Sequence, residues 1–224
     1  MGLTAIKYHF RLLWVFNYSV DHWLRKINYY TTASTYHKTK QEISAEYEVI
    51  KASQHNPENF GPLYIRYHDM VFLFINKRVD NLEATADLTS RVFLKCLKNI
   101  GKYKYQGVPF SAWLYKIALN EINQFFRVQN KLMRTVSIND HHIDQLVGEI
   151  DYGQPLIDTH VLVPVLLEQL NDYEIQFIEL RFFENESYKQ IGYLLGLSEV
   201  NAKIKTYRIL KKLKKLSENI NYNE

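Results

Sequence analysis

Apolar residues recur at intervals of three and four through most of this chain, and that spacing restricts it to helices. Phe60, Leu63, Tyr64, Tyr67, Val71, Phe74 and Ile75 lay one apolar stripe along about five helical turns. No stretch alternates apolar and polar residues as a half-buried strand would. The chain of 224 residues holds only 8 Gly and 5 Pro, too few for a turn-rich sandwich or barrel. A hydrophobic content of 46% excludes wholesale disorder. A single cysteine, Cys96, excludes a disulfide framework and any multi-thiolate zinc site. The expected fold is all-α.

Punctuation residues divide the pattern. Asn56-Pro57 opens a helix, with Asn as cap and Pro where its missing N–H costs nothing, and Asp80-Asn81 breaks it. A helix over 82–100 is predicted to bury Ala86, Thr89, Phe93, Cys96, Leu97 and Ile100, and Gly101 ends it. GKYKYQGVP (101–109) is a basic, aromatic loop, and Pro109 starts a helix over 110–130. Residues 132–160 collect Asn, Asp, His and Gly and read as a flexible linker. Helical spacing resumes near Val161. Asn171 with Glu174 caps one helix, and Ser187-Tyr188-Lys189-Gln190 forms a capping box for the next. Gly196 stops that helix, and Ser198 caps a last one running to about residue 216. Two small helical domains joined by a linker follow, over 46–131 and 161–218, with an extension at 1–45 and a tail at 219–224.

Within the extension, Met1–Val20 is apolar and aromatic, but Lys7, His9 and Arg11 interrupt it before a membrane span accumulates. No small-residue cleavage site follows. A loosely packed extension and a cytoplasmic protein are expected.

The formal charge of +4 hides a segregation. Residues 1–134 carry 19 Lys and Arg against 10 Asp and Glu, and residues 135–180 carry nine acids and no Lys or Arg. The remainder, 181–224, carries nine basic and five acidic residues. Two basic blocks around an acidic one suggest two modules facing nucleic acid.

The chemistry-bearing patterns agree. A capped helix, a Gly turn and a helix with Lys203, Lys205, Arg208, Lys211, Lys212, Lys214 and Lys215 is the layout of a helix-turn-helix, whose second helix enters the major groove. Ile204, Tyr207 or Leu210, and Leu213 are expected to pack inward. Tyr105, Trp113, Tyr115, Lys116, Asn120 and Arg127 interleave aromatic, cationic and amide groups, a surface suited to unpaired bases. No phosphate-cradling Gly loop, nucleophile elbow or HExxH occurs. His141-His142 reads as solvated, and the acids over 140–158 lack fixed geometry. No catalytic residue, metal, cofactor or small-molecule substrate is expected, and the chain does not read as an enzyme.

NPENFGPLYIRYHDMVFLFINKRVDNLEATADLTSRVFLKCLKNI followed by GVPFSAWLYKIALNEINQFFR resembles conserved region 2 of the extracytoplasmic-function sigma factors. LEQLNDYEIQFIELRFFENESYKQIGYLLGLSEVNAKIKTYRILKKLKKL resembles their region 4. The segments ADLTxxVF, FSAWLYKIAxNE and SYxQI…LGLSE…KxKxYRxLKKL stand in the family's order. The resemblance implies an initiation factor whose partners are RNA polymerase core, through the largest-subunit coiled coil and the flap, and promoter DNA. An anti-sigma factor is a further implied partner. It implies core contacts at Asp87, Ser90, Arg91 and Lys95, with Ser90 and Arg91 departing from the family's usual Gln and Glu. It assigns Tyr105, Trp113, Tyr115, Lys116, Asn120 and Arg127 to the single-stranded −10 element. Ser198, Asn201, Lys203, Lys205, Tyr207 and Arg208 fall to the −35 duplex. The acidic linker would occupy the polymerase's RNA path. Gly192 stands where the family usually has Ala, at a cost of up to about 1 kcal/mol of helix propensity. The competing expectation is a stand-alone helix-turn-helix regulator that binds duplex DNA without polymerase.

Overall fold

A computed structural model of the chain describes residues 40–128, 138, 140–150 and 158–221, and all regular structure among them is helical. The stretch Met1–Val20 lies outside the described residues. Helix α1 (Lys40–His55) starts ahead of the expected domain boundary at 46. It is fastened by polar contacts as well as by burial of Ile50. Glu46, almost buried, accepts the Tyr67 hydroxyl and faces Arg66 at 3.4 Å. Gln54 Nε2 donates to the carbonyls of Ile100 at 3.0 Å and Tyr103 at 2.9 Å, tying α1 to the loop that begins there.

Asn56 caps a 3-10 turn, Pro57–Phe60, which leads into α2 (Gly61–Val79). Asp80, in the left-handed region at φ 49°, ends α2, and Asn81 caps α3 (Leu82–Asn99) by accepting the Ala84 N–H at 2.8 Å. A 3-10 turn at Ile100–Lys102 and an irregular loop lead to α4 (Phe110–Val128). Helices α2, α3 and α4 bury Leu63, Val71, Leu88, Val92, Leu114 and Ile122 between them. The buried stripe of α3 is Thr85, Leu88, Thr89, Val92, Phe93 and Cys96, so Ala86, expected inside, is exposed. The longer Leu88 and Val92 bury more apolar area than Ala86 could, and they decide the rotation of the helix.

The expected linker is not featureless. Helix α5 (Asp140–Ile150) lies inside it and buries Ile143, Leu146 and Ile150. These three stand at intervals of three and four, the period that the surrounding Asp, His and Gly obscured. Helix α6 (Thr159–Leu167) follows, capped by Asp158, with Leu162, Val163, Leu166 and Leu167 buried. Asn171 and Glu174 form a reciprocal capping box for α7 (Asp172–Ile178), which runs on into a π-turn, Glu179–Phe183. Ser187 and Gln190 do the same for α8 (Tyr188–Leu195), and α9 (Glu199–Asn221) closes the fold. Helix α9 packs on α5, α6, α7 and α8, so α5 belongs to the core of the second half.

The two halves meet where the end of α2 reaches the π-turn and α4 lies against α8. Arg78, 1% exposed, stacks its guanidinium 3.7 Å from the Phe74 ring centroid and donates to the Phe74 carbonyl at 2.7 Å. Its Nη1 donates to Glu184 at 3.2 Å, and its Nε stands 3.4 Å from Glu179 Oε2, close enough for ionic attraction but outside hydrogen-bond geometry. Lys77 reaches Glu184 at 3.4 Å. Burial alone would raise the Glu184 carboxyl, yet Lys77 and Arg78 hold it below its ordinary value. His142 stacks on Phe183 at 4.5 Å rather than standing in solvent, and burial with Lys77 nearby pulls it down to about 4.

Arg78→Ala would leave Glu179 and Glu184 buried without their guanidinium, and should lower unfolding free energy by about 3–5 kcal/mol in urea titration. Glu186, beside Glu184, is pushed by burial and then by that neighbour up to about 8. Its proton is therefore held more tightly in the folded state, so its share of stability is full below about 4.5 and is lost as pH rises through about 8. Glu186→Gln should flatten the pH dependence of the melting temperature across that window.

Candidate nucleic-acid interface

Helices α3 and α4 diverge beyond their shared core and leave an open cavity of about 350 Å³. Lys95, Asn99, Lys102, Trp113, Ile117, Asn120 and Glu121 line it. Trp113 forms an aromatic wall, held in tilted contact by Tyr103 and Phe110 at centroid distances of 5.0 and 5.5 Å. Gln54 of α1 fixes the Tyr103 carbonyl, so this wall is braced from outside the helices that carry it. Lys95 pairs with Glu121, which is almost fully buried. A flat ring, two carboxamides, two ammonium groups and the Glu121 carboxylate that answers one of them thus converge on one opening. Such a set can stack on a base, contact its edge and neutralise its phosphate.

The structure sorts the expected strand-binding residues. Trp113 and Asn120 share the cavity. Tyr105 is 61% exposed on the loop but does not line it. Tyr115 is turned into the core, stacked on Phe74 at 4.4 Å, because its place on α4 faces α2. Lys116 lies half-buried with its ammonium 4.4 Å from the Tyr193 ring of α8. Arg127 is exposed near the end of α4, away from the cavity lining. Asn99 and Lys102 are the members that sequence reasoning missed. Lys102 stood in the basic loop, and Asn99 lies one helical turn beyond Lys95.

On the outer face of α3, Asp87, Ser90 and Arg91 are exposed together. Arg91 Nη2 stands 2.6 Å from Asp87, and Ser90 Oγ donates to the Ala86 carbonyl at 3.0 Å. Leu94, 52% exposed, extends this face by one turn from Ser90 and Arg91. Lys95, expected here, turns toward α4 instead, because Glu121 attracts it.

The second constellation is α8, a turn and α9. Gly196 adopts φ 71°, a conformation open to glycine at little cost. A Cβ at Gly192 would lie 2.8 Å from the Leu197 carbonyl oxygen and 3.2 Å from Ser198 backbone atoms. Gly192 is therefore required by close approach of the turn, whose Leu197 N–H donates to the Gly192 carbonyl at 2.7 Å. That replaces the simple propensity cost read from the sequence. Ser198 caps α9, accepting the Asn201 N–H at 3.2 Å. Ala202, Thr206, Ile209, Leu210 and Leu213 are buried, so Leu210 rather than Tyr207 packs inward beside Leu213, whereas Ile204 is exposed, contrary to expectation. The small Ala202 and Thr206 let α9 lie close on its neighbours, and this row wins. Asn201, Lys203, Tyr207 and Arg208 stand outward as expected. Lys205 is half-buried, its ammonium engaged 5.1 Å from the Tyr173 ring of α7.

Residues 63–132 match the sigma-70 region 2 family, and residues 166–215 match sigma-70 region 4; together they exceed half the chain. The chain is 30% identical over 170 residues to the ECF RNA polymerase sigma factor BldN of Streptomyces coelicolor. That match covers 75% of this chain and 64% of BldN. The chain belongs to the extracytoplasmic-function sigma factors.

Similarity to the sigma factor CarQ of Myxococcus xanthus is 28% over 157 residues, 70% of this chain and 88% of CarQ. The solved structure of CnrH with the cytosolic domain of CnrY aligns at a TM-score of 0.49 and 17% identity, covering 76% of this chain and 96% of CnrH. The RsbN–BldN complex aligns at 0.32 and 26% identity over 75% of this chain and 98% of that one. In this sigma factor the region 2 match holds the whole cavity, and the region 4 match holds α8, the turn and α9 as far as Lys215. Helix α1 and helix α5 lie outside both. Among the described residues no cluster of His, Cys, Asp or Glu is placed to hold a metal, and no helix is long and apolar enough to cross a membrane.

Because the Gly192 contact is with backbone, Gly192→Ala should force the turn away from α8. Thermal melting should fall by several degrees, and duplex affinity should fall with it while the region 2 cavity keeps its Trp113 fluorescence.

Proposed function

We propose that this sigma factor binds RNA polymerase core and directs it to promoters, working in the cytoplasm. Asp87, Ser90, Arg91 and Leu94 form the core-binding face. The cavity between α3 and α4 receives a base flipped from the non-template −10 strand. Trp113 offers the stacking surface, Asn120 and Asn99 the amide groups, and Lys95 and Lys102 the charge. Helix α9 enters the −35 duplex, with Asn201, Lys203, Tyr207 and Arg208 outward. The observation that carries the reading is the cavity, since a stand-alone duplex binder has no use for a pocket of aromatic, amide and cationic groups on its other half. Tyr105 and Arg127 fit contacts to the flanking strand rather than the pocket itself. Tyr115 has no such role because it is buried, and Lys116 and Lys205 have none because they rest over Tyr193 and Tyr173. The polymerase flap is proposed to hold region 4. BldN, to which this chain is 30% identical, was solved in complex with RsbN, and an anti-sigma partner is proposed on that sequence likeness.

Purified protein with core polymerase should give run-off transcripts from a promoter that core alone ignores. Asn120→Ala should reduce strand opening, read by permanganate footprinting, with polymerase recruitment little changed. Arg208→Ala should weaken recruitment to the −35 element and reduce its salt dependence by about one phosphate contact. Tight duplex binding without core, and no transcription with it, would favour the stand-alone regulator.

A further inference from the structure

The outward row of α9 changes character along its length. Its first turns carry Val200, 65% exposed, and Ile204, 43% exposed, with Tyr207, 52% exposed, beside them. One and two turns further on, the same row carries Arg208, Lys211 and Lys215, all exposed. No Asp or Glu occurs between Glu199 and Glu218. Two large aliphatic side chains stand in water on a helix whose opposite face is packed. The flanking cations attract a polyanion and repel a basic protein surface. Duplex DNA is the polyanion that the proposed −35 role of α9 brings to this row.

In a helix-turn-helix the N-terminal part of the second helix meets base edges, while the later part leaves the groove along the backbone. The sequence of side chains on α9 follows that division, aliphatic first and cationic after. Aliphatic groups cannot read hydrogen-bond donors or acceptors. In the major groove they have one sequence-specific apolar partner, the C5 methyl of thymine.

We infer that Val200 and Ile204 read thymine methyl groups in the −35 element, so that this sigma factor recognises part of its promoter by apolar contact. This rests on the proposed −35 role of α9. The two residues stand one turn apart, about 6 Å along the helix, which matches about two stacked base steps. The thymines they read therefore lie within two or three neighbouring base pairs, on either strand.

The test uses holoenzyme reconstituted from the full chain and core. The −35 sequence is selected from a randomised duplex, and each selected thymine is then replaced by deoxyuridine, which removes the methyl group and nothing else. Expected is a loss of about threefold to fourfold in affinity at one or two adjacent thymines, the effect of one buried methyl group. In the Val200→Ala, Ile204→Ala double variant that loss should vanish, while Ile204→Val alone should retain most of it. Both positions are exposed, and an unchanged melting temperature shows that the variants fold. If holoenzyme selects a −35 sequence but deoxyuridine costs nothing at any thymine, the methyl contact is wrong and the sigma-factor reading stands. The inference is equally overturned if the loss persists in the double variant. If holoenzyme selects no duplex sequence at all, both the inference and the −35 role of α9 are overturned.

Discussion

A guanidinium with almost no access to water sits between the two halves, and the arrangement around it depends on that charge being answered. Arg78 lies at the end of α2, where a cation also faces the carbonyl end of the helix dipole. Phe74 covers one side of it, and its own helix accepts one donor. The remaining attraction comes from Glu179 and Glu184, both in or at the end of the π-turn of the second half. Buried charge of this kind is costly unless several partners hold it at once. Arg78 therefore requires the π-turn beside α2, and the π-turn brings α8 against α4. The Lys116 contact with Tyr193 is a consequence of that docking.

This docking leaves the two candidate nucleic-acid surfaces open. The cavity faces outward between α3 and α4, and the exposed row of α9 lies opposite its packed one. Residues on the docked side are different. Tyr115 is sealed between Phe74 and the carboxylates of the second half, and burial raises its hydroxyl pKa well above the ordinary tyrosine value, with Glu184 and Glu186 adding to the effect. An aromatic residue in such a place supports the joint between the halves. The division between strand-contacting and structural aromatics on α4 thus follows from which side of the helix the second half covers.

Sequence pattern fixed much of this in advance, and where it fell short the cause was physical each time. The helical nature of the chain, the caps at Asn56, Asn171 and Ser187, and the Gly196 stop were all legible, because a cap is a local interaction between neighbouring residues. The register of α9 was legible at Leu213, and at Leu210 as one of two alternatives, but not at Ile204. Val200, Ile204 and Tyr207 form one row, and Ala202, Ile209, Leu210 and Leu213 form another. Only tertiary packing selects the second, through the small Ala202 and Thr206. Helix α5 was hidden because its three buried residues are diluted by Asp, His and Gly, which dominate any reading by composition. Gly192 is the clearest limit. Its propensity cost is visible in sequence, but a carbonyl oxygen 2.8 Å from where its Cβ would stand is a fact of three dimensions.

The segregated charge also takes on a different meaning once its partners are known. Acids over 135–180 read as a block set between two modules facing nucleic acid, yet several serve the second half internally. Glu174 caps α7 and pairs with Lys212 at 2.7 Å, a contact that, against the opposing effect of burial, holds its carboxyl below the ordinary value. Glu179 answers Arg78, and Asp158 caps α6. On α9 the same chemistry sorts the cations. Lys212 is held by Glu174 and Lys205 rests over Tyr173, both on the side toward α7. Lys203, Arg208, Lys211 and Lys215 are exposed on the other side. Glu174 and the Tyr173 ring thus occupy Lys212 and Lys205, and the outward row is left as the concentrated positive surface. Net charge alone could not have distinguished a helix that is cationic all round from one whose cations point where a phosphate backbone would lie.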